Sequence, residues 1–136
     1  MDLSELDSVK ACNDGADLNL YHPGTGEPLD IIIRCAGPDS DAFNRANRKM
    51  QDKRLHQSMK GGKRRMSSED LDEDTIELLA ACTLSWNEHM VVDGERVEFS
   101  LDNARMIYRR FPWIREQVNR FVGDRSNFFR GSDSGA

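Results

Sequence analysis

Residues 91–129 carry turn, cap and helix-start signals in an order that leaves the chain few ways to fold. Met90-Val-Val-Asp-Gly-Glu-Arg-Val-Glu-Phe99 alternates around Asp93-Gly94, a pair that tolerates the positive φ angles of a two-residue hairpin turn. Ser100 then stands where its hydroxyl can accept from the free N–H groups of a short helix reaching Arg109. Pro112 suits the first turn of a last helix, because its φ is already helical and its missing N–H would have had no partner there. Ile114, Val118, Phe121 and Val122 fall on one face of that helix, and Gly123 marks its end.

Upstream, Asp17-Leu-Asn-Leu-Tyr21 alternates and Leu29-Asp-Ile-Ile-Ile-Arg-Cys35 is β-branched, with the Gly/Pro stretch of residues 22–28 between them, which predicts a second hairpin. Pro28 belongs at the start of its strand, where a missing donor harms no inner ladder. Asp39 or Ser40 caps a polar, basic helix over residues 42–60, with Phe43, Ala46, Met50 and Leu55 as a thin apolar stripe. Gly61-Gly62 breaks it, and Lys63-Arg64-Arg65 extends its charge into a loop. Ser67-Ser-Glu-Asp70 opens a helix expected to run to about Trp86 and to form the centre of the core. Trp86 is expected in that core, and Trp113 mostly buried against the hairpin.

The fold class expected is therefore α+β: a mainly helical single domain with two short β-hairpins. Its parts are an acidic leader over residues 1–15 with little to bury, a domain over 16–129 and a flexible tail over 130–136. At 136 residues, with 38% hydrophobic and 32% charged residues, the core is modest and leaves surface for a partner to complete. The acidic start has no positive n-region and no long apolar run follows, so a soluble, unexported and not membrane-spanning protein is expected.

No catalytic or metal constellation stands out, and neither enzyme activity nor a cofactor is expected. Cys12, Cys35 and Cys82 are scattered, without a Cys-x-x-Cys pair or a nearby histidine at ligand spacing, and read as reduced thiols. His22, His56 and His89 lie in turn, helix and link positions, with no nucleophile motif beside them. His22-Pro-Gly-Thr-Gly26 lacks the strand, helix and lysine of a phosphate loop.

Charge is unevenly placed. A basic run containing Arg48, Lys49, Lys53 and Arg54 is followed by an acidic block containing Glu69, Asp70, Asp72 and Glu73. Such neighbouring blocks attract each other within a fold or between identical subunits, and these eight residues are read as a self-association surface. A solvated face and nucleic-acid binding are the alternatives; the net charge of −5 argues against the second. Seven aromatic residues crowd the C-terminal part, more than two short helices can bury against one another. Tyr108, Arg109, Phe111, Arg115, Phe128 and Phe129 are thus read as partner-binding residues, with Phe128 and Phe129 as exposed anchors.

The order of these features (Asp-Gly hairpin, Phe99-Ser100, Asn103-Ala104, Phe111-Pro-Trp-Ile-Arg-Glu-Gln-Val118, Gly123-Asp-Arg, Asn127-Phe128) resembles the tail assembly chaperones of long-tailed bacteriophages. The resemblance covers residues 15–129, including Leu78-Leu-Ala-Ala-Cys-Thr-Leu-Ser-Trp86. It implies a non-enzymatic chaperone that coats the tape-measure protein in the host cell cytoplasm, leaves as tail tube subunits polymerise, and is absent from the mature virion. It also implies homo-oligomers, and a longer frameshifted form that reaches the tail tube protein. A virion structural protein, such as a tail-completion or head-tail connector subunit, and a small nucleic-acid-binding regulator are the competing readings.

Overall fold

The computed structural model describes residues 2–59 and 67–133, with side chains described through residue 129. The expected Gly61-Gly62 break and the cationic Lys63-Arg64-Arg65 loop lie outside these residues, as do residues 134–136 of the expected tail. Strands β1 (Ala16–Tyr21) and β2 (Pro28–Cys35) pair antiparallel, with Leu18 opposite Ile33 and Tyr21 opposite Pro28. Alternation along β1 sends Ala16, Leu18 and Leu20 inward. Between the strands, His22 closes the loop: its Nδ1 accepts from the N–H groups of Gly24 (2.9 Å) and Thr25 (3.1 Å), and its backbone bonds to Gly26 and Glu27. That histidine is therefore a turn residue.

After a 3-10 turn at Leu3–Leu6, helix α1 (Ser8–Asp14) precedes β1. The expected leader does form a short helix, but it is anchored more firmly than its composition suggested, because Cys12 is fully buried. Helix α2 (Asp41–Met59) is started by Ser40, whose hydroxyl accepts from the N–H of Phe43 at 3.1 Å. It runs 19 residues without burying one of them, and Leu55 of its expected apolar stripe is exposed.

Helix α3 (Ser68–Ala81) begins with a reciprocal capping box between Ser67 and Asp70. The expected continuation to Trp86 does not occur. The chain leaves the helix at Cys82, and Thr83–Trp86 becomes strand β3, paired with the far edge of β2 with Ile33 opposite Trp86 and Cys35 opposite Thr83. Short apolar runs carry no decisive period. Here the unpaired edge of β2 decides, since its backbone groups need partners that a longer α3 could not supply. The result is a three-stranded sheet in the order β1-β2-β3.

Strands β4 (Val91–Val92) and β5 (Glu95–Arg96) form the second hairpin, turning at Asp93 (φ 53°) and Gly94 (φ 80°), as its sequence predicts. Ser100 caps helix α4 (Leu101–Arg110) through the N–H of Asn103, and Pro112 opens helix α5 (Pro112–Val122). The core joins Leu20 and Ile33 of the sheet to Ile76 and Leu79 of α3, Ile107 and Tyr108 of α4, and Val118 and Val122 of α5. Trp86 is partly buried at the margin of this core and not inside it, while Trp113 packs against the core mostly buried. Trp86 donates from Nε1 to the carbonyl of Val97 at 2.8 Å and meets the Phe99 ring edge-on at 5.1 Å.

Helix α5 is not the last: α6 (Ser126–Asp133) follows, so the backbone through Asp133 is helical where a loose tail was expected. It packs on α1 and β1, and Phe128 joins Cys12 and Ala16 in a second, smaller cluster. Gly37 makes this possible: a Cβ there would stand 2.8 Å from the Phe128 ring and closer still to the Cys12 sulfur. The fold is a mainly helical α+β domain with one three-stranded and one two-stranded antiparallel sheet. Among the described residues, no helix is long and apolar enough to cross a membrane.

Candidate partner-binding surface

The two residue sets singled out in the sequence meet each other. Arg109 grips Glu73 with two bonds of 2.9 Å, and Arg115 lies 3.9 Å from Asp72 while donating to the carbonyl of Tyr108 at 3.2 Å. Arg105 adds a bond to Glu77 at 2.9 Å. Arginines of α4 and α5 thus face the acidic side of α3 along a row of ion pairs. The Arg109 guanidinium holds the Glu73 carboxyl below its usual range. Asp72 and Glu73 of the acidic block are accordingly engaged within the chain by Arg115 and Arg109, and Asp70 is engaged in the helix cap.

The expected aromatic anchors fare no better as free surface. Tyr108 is fully buried and bonds to the Thr83 hydroxyl at 2.6 Å, which corrects its assignment to a partner surface. Burial also pushes its phenol well above the ordinary range. Phe128 is 3% exposed, with its ring edge-on to Phe121 at 5.6 Å, and so is core and not an exposed anchor. Phe129 is half-buried and lines a hollow of about 710 Å³ between α1 and α6. Phe111 is half-buried beneath the Arg110 guanidinium, 5.3 Å from its centroid, and Arg110 in turn holds Asp93 of the hairpin turn at 2.7 and 2.9 Å. The ring surplus is absorbed because α6 and α1 supply a second cluster, which a reading of α5 as the last helix could not foresee.

The basic run behaves differently. Arg54 donates to Asp74 from Nε (3.3 Å) and Nη2 (3.1 Å), and Lys53 lies 3.7 Å from the same carboxylate, so one acidic residue joins α2 to α3. Arg45, Arg48 and Lys49 are exposed and have no ion partner among the described residues. Glu69, the remaining member of the expected self-association set, is exposed at the start of α3.

Between α2 and α3 runs an open groove of about 860 Å³. Its α2 wall is Ala42, Arg45, Ala46, Lys49, Met50 and Lys53, whose spacing alternates three and one and so defines a single helical face. Across from it stand Asp74, Glu77, Leu78 and Ala81 of α3, and Leu101 and Arg105 of α4 close the end. The floor is thus made of alanines, Met50 and leucines, and the free cations sit on the α2 side. Ala46 and Met50 were legible as an apolar stripe. The opposite wall was not, because it depends on how α3 and α4 pack.

The three thiols are buried and unpaired, and burial pushes Cys82 up to about 12 and Cys35 higher, so neither is a nucleophile at neutral pH. Among the described residues no group of His, Cys, Asp and Glu is placed to hold a metal ion. Comparison of the chain with protein-family profiles, with curated proteins and with solved structures finds no match.

Proposed function

We propose that this chain is a tail assembly chaperone of a long-tailed bacteriophage. It holds the tape-measure protein in solution in the host cytoplasm, helps recruit tail tube subunits, in part through a longer frameshifted form, and is absent from the finished particle. The order of sequence motifs over residues 15–129 suggests the reading. The observation that carries it is α2, a 19-residue helix that buries no residue and borders an open groove with an apolar floor. A helix of that length is about 28 Å long, enough to lie alongside several turns of a partner helix. A long helical partner offers many weak repeats of such a contact, and a small subunit binding along it gains by avidity.

Self-association belongs to the same proposal, now through surfaces other than the acidic block, most of which is engaged within the chain. Mass spectrometry of purified particles separates the chaperone from a virion structural protein. The chaperone is expected in the lysate of infected cells and missing from particles; stoichiometric recovery from particles would refute the proposal.

A further inference from the structure

We infer that the groove between α2 and α3 takes an amphipathic helix whose apolar stripe is flanked on one side by carboxylates, the flank that lies over Arg45 and Lys49. This names the chemistry of the partner segment and rests on the chaperone reading above.

Three features of the groove define the occupant. Ala42 and Ala46 are small, so a second helix can approach α2 closely, and Met50 is an unbranched side chain that adapts to irregular surfaces. Leu78 and Ala81 offer apolar contact from the other wall. The charges are lopsided: Asp74 is answered by Lys53 and Arg54, and Glu77 by Arg105, whereas Arg45 and Lys49 have no ion partner among the described residues. Arg45 and Lys49 stand four residues apart on one face, matching acidic residues at the same interval on a facing helix.

The same features disfavour the other occupants. Nucleic acid would bring phosphates against an apolar floor and the carboxylates of Asp74 and Glu77, on a chain of net charge −5. In a second copy of the chain the most acidic helix is α3, and its Asp72, Glu73, Asp74 and Glu77 are already held by its own cations, which makes that helix a poor occupant.

Fluorescence anisotropy with two labelled peptides tests the assignment. Each peptide has about 20 residues, long enough to overcome helix nucleation. One carries an apolar stripe with Glu at i, i+4 along a flank, and the other has Lys in place of every Glu. The wild-type chain should bind the Glu peptide, more weakly as salt rises, and discriminate against the Lys peptide. The double variant Arg45→Glu, Lys49→Glu changes two exposed side chains outside the core. It should keep its circular dichroism spectrum, lose about tenfold in affinity for the Glu peptide and gain the Lys peptide.

Equal affinity for both peptides, or unchanged preference in the variant, would overturn the inference. So would duplex DNA displacing the peptide, or a wild-type dimer that the variant abolishes. Solubilisation of the tape-measure protein by both wild type and variant would sink the groove assignment and leave the chaperone reading standing. Charge-selective peptide binding without any effect on the tape-measure protein would do the reverse.

Discussion

Tyr108 of α4 and Thr83 at the start of β3 share a buried hydrogen bond of 2.6 Å, and Thr83 also donates to the carbonyl of Leu79 at 2.7 Å. Because the one threonine proton is committed to Leu79, Tyr108 is the donor to Thr83. The bond ties the helix-to-strand switch after α3 to the helix that covers it.

The two ends of this bond should respond unequally. Tyr108→Phe removes a donor and leaves Thr83 still bonded to Leu79, so a loss of about 1 kcal/mol is expected. Thr83→Val strands the buried Tyr108 hydroxyl and should cost more, about 1 to 3 kcal/mol. Urea denaturation of both variants measures the difference, and equal losses would mean that the donor assignment is wrong.

Asp39 links the segment before α2 to the segment before α6. It accepts from Arg125, at 2.9 Å from Nη2. The Arg125 guanidinium first, then the nearby Ser8 side chain, lower its pKa from 3.8 to about 2. With the folded-state pKa below the unfolded one, the contribution is fully present above about pH 4 and fades as pH falls towards 2. Asp39→Asn should therefore melt lower than wild type at pH 7, with the gap closing across that acidic window. A gap independent of pH would contradict the pairing.

Gly37 sits where α1 and α6 come together. Gly37→Ala forces the Cys12 sulfur or the Phe128 ring aside and should cost about 1 to 3 kcal/mol. The damage should be local. Cys12 is expected to become reactive toward a thiol reagent in native buffer while Cys35 and Cys82 stay protected; uniform reactivity of all three would show that the two clusters do not open separately.

Phe128→Ala leaves a hole in that same cluster and should destabilise by about 3 kcal/mol, whereas Phe129→Ala, at a half-buried position, should cost less. Thermal melting of the two single variants is the check. A stable Phe128→Ala protein would place this ring on the surface after all.

What was legible in the sequence was local chemistry. Asp93-Gly94, Ser67 with Asp70, Ser100 and Pro112 all act where their backbone preferences placed them. The α+β class follows from such signals. What escaped were choices made by tertiary context. Residues 83–86 are apolar enough to continue α3, and only the open edge of β2 turns them into a strand. Tyr108, Arg109 and Arg115 read as surface anchors because the residues that occupy them, Thr83, Glu73 and Asp72, are 25 to 43 positions away in the chain. Phe128 looked exposed because nothing local announced that α1 would cover it. The basic helix α2 buries none of its residues, and half of its groove could be read from the spacing of Ala46 and Met50.

The chaperone proposal is tested most directly by expressing the tape-measure protein of the same phage with and without this chain, and measuring how much of it stays in the supernatant. The account predicts that co-expression keeps the tape-measure protein soluble and that the two co-purify. A tape-measure protein that remains insoluble beside abundant folded chain, with no complex recovered, would contradict it.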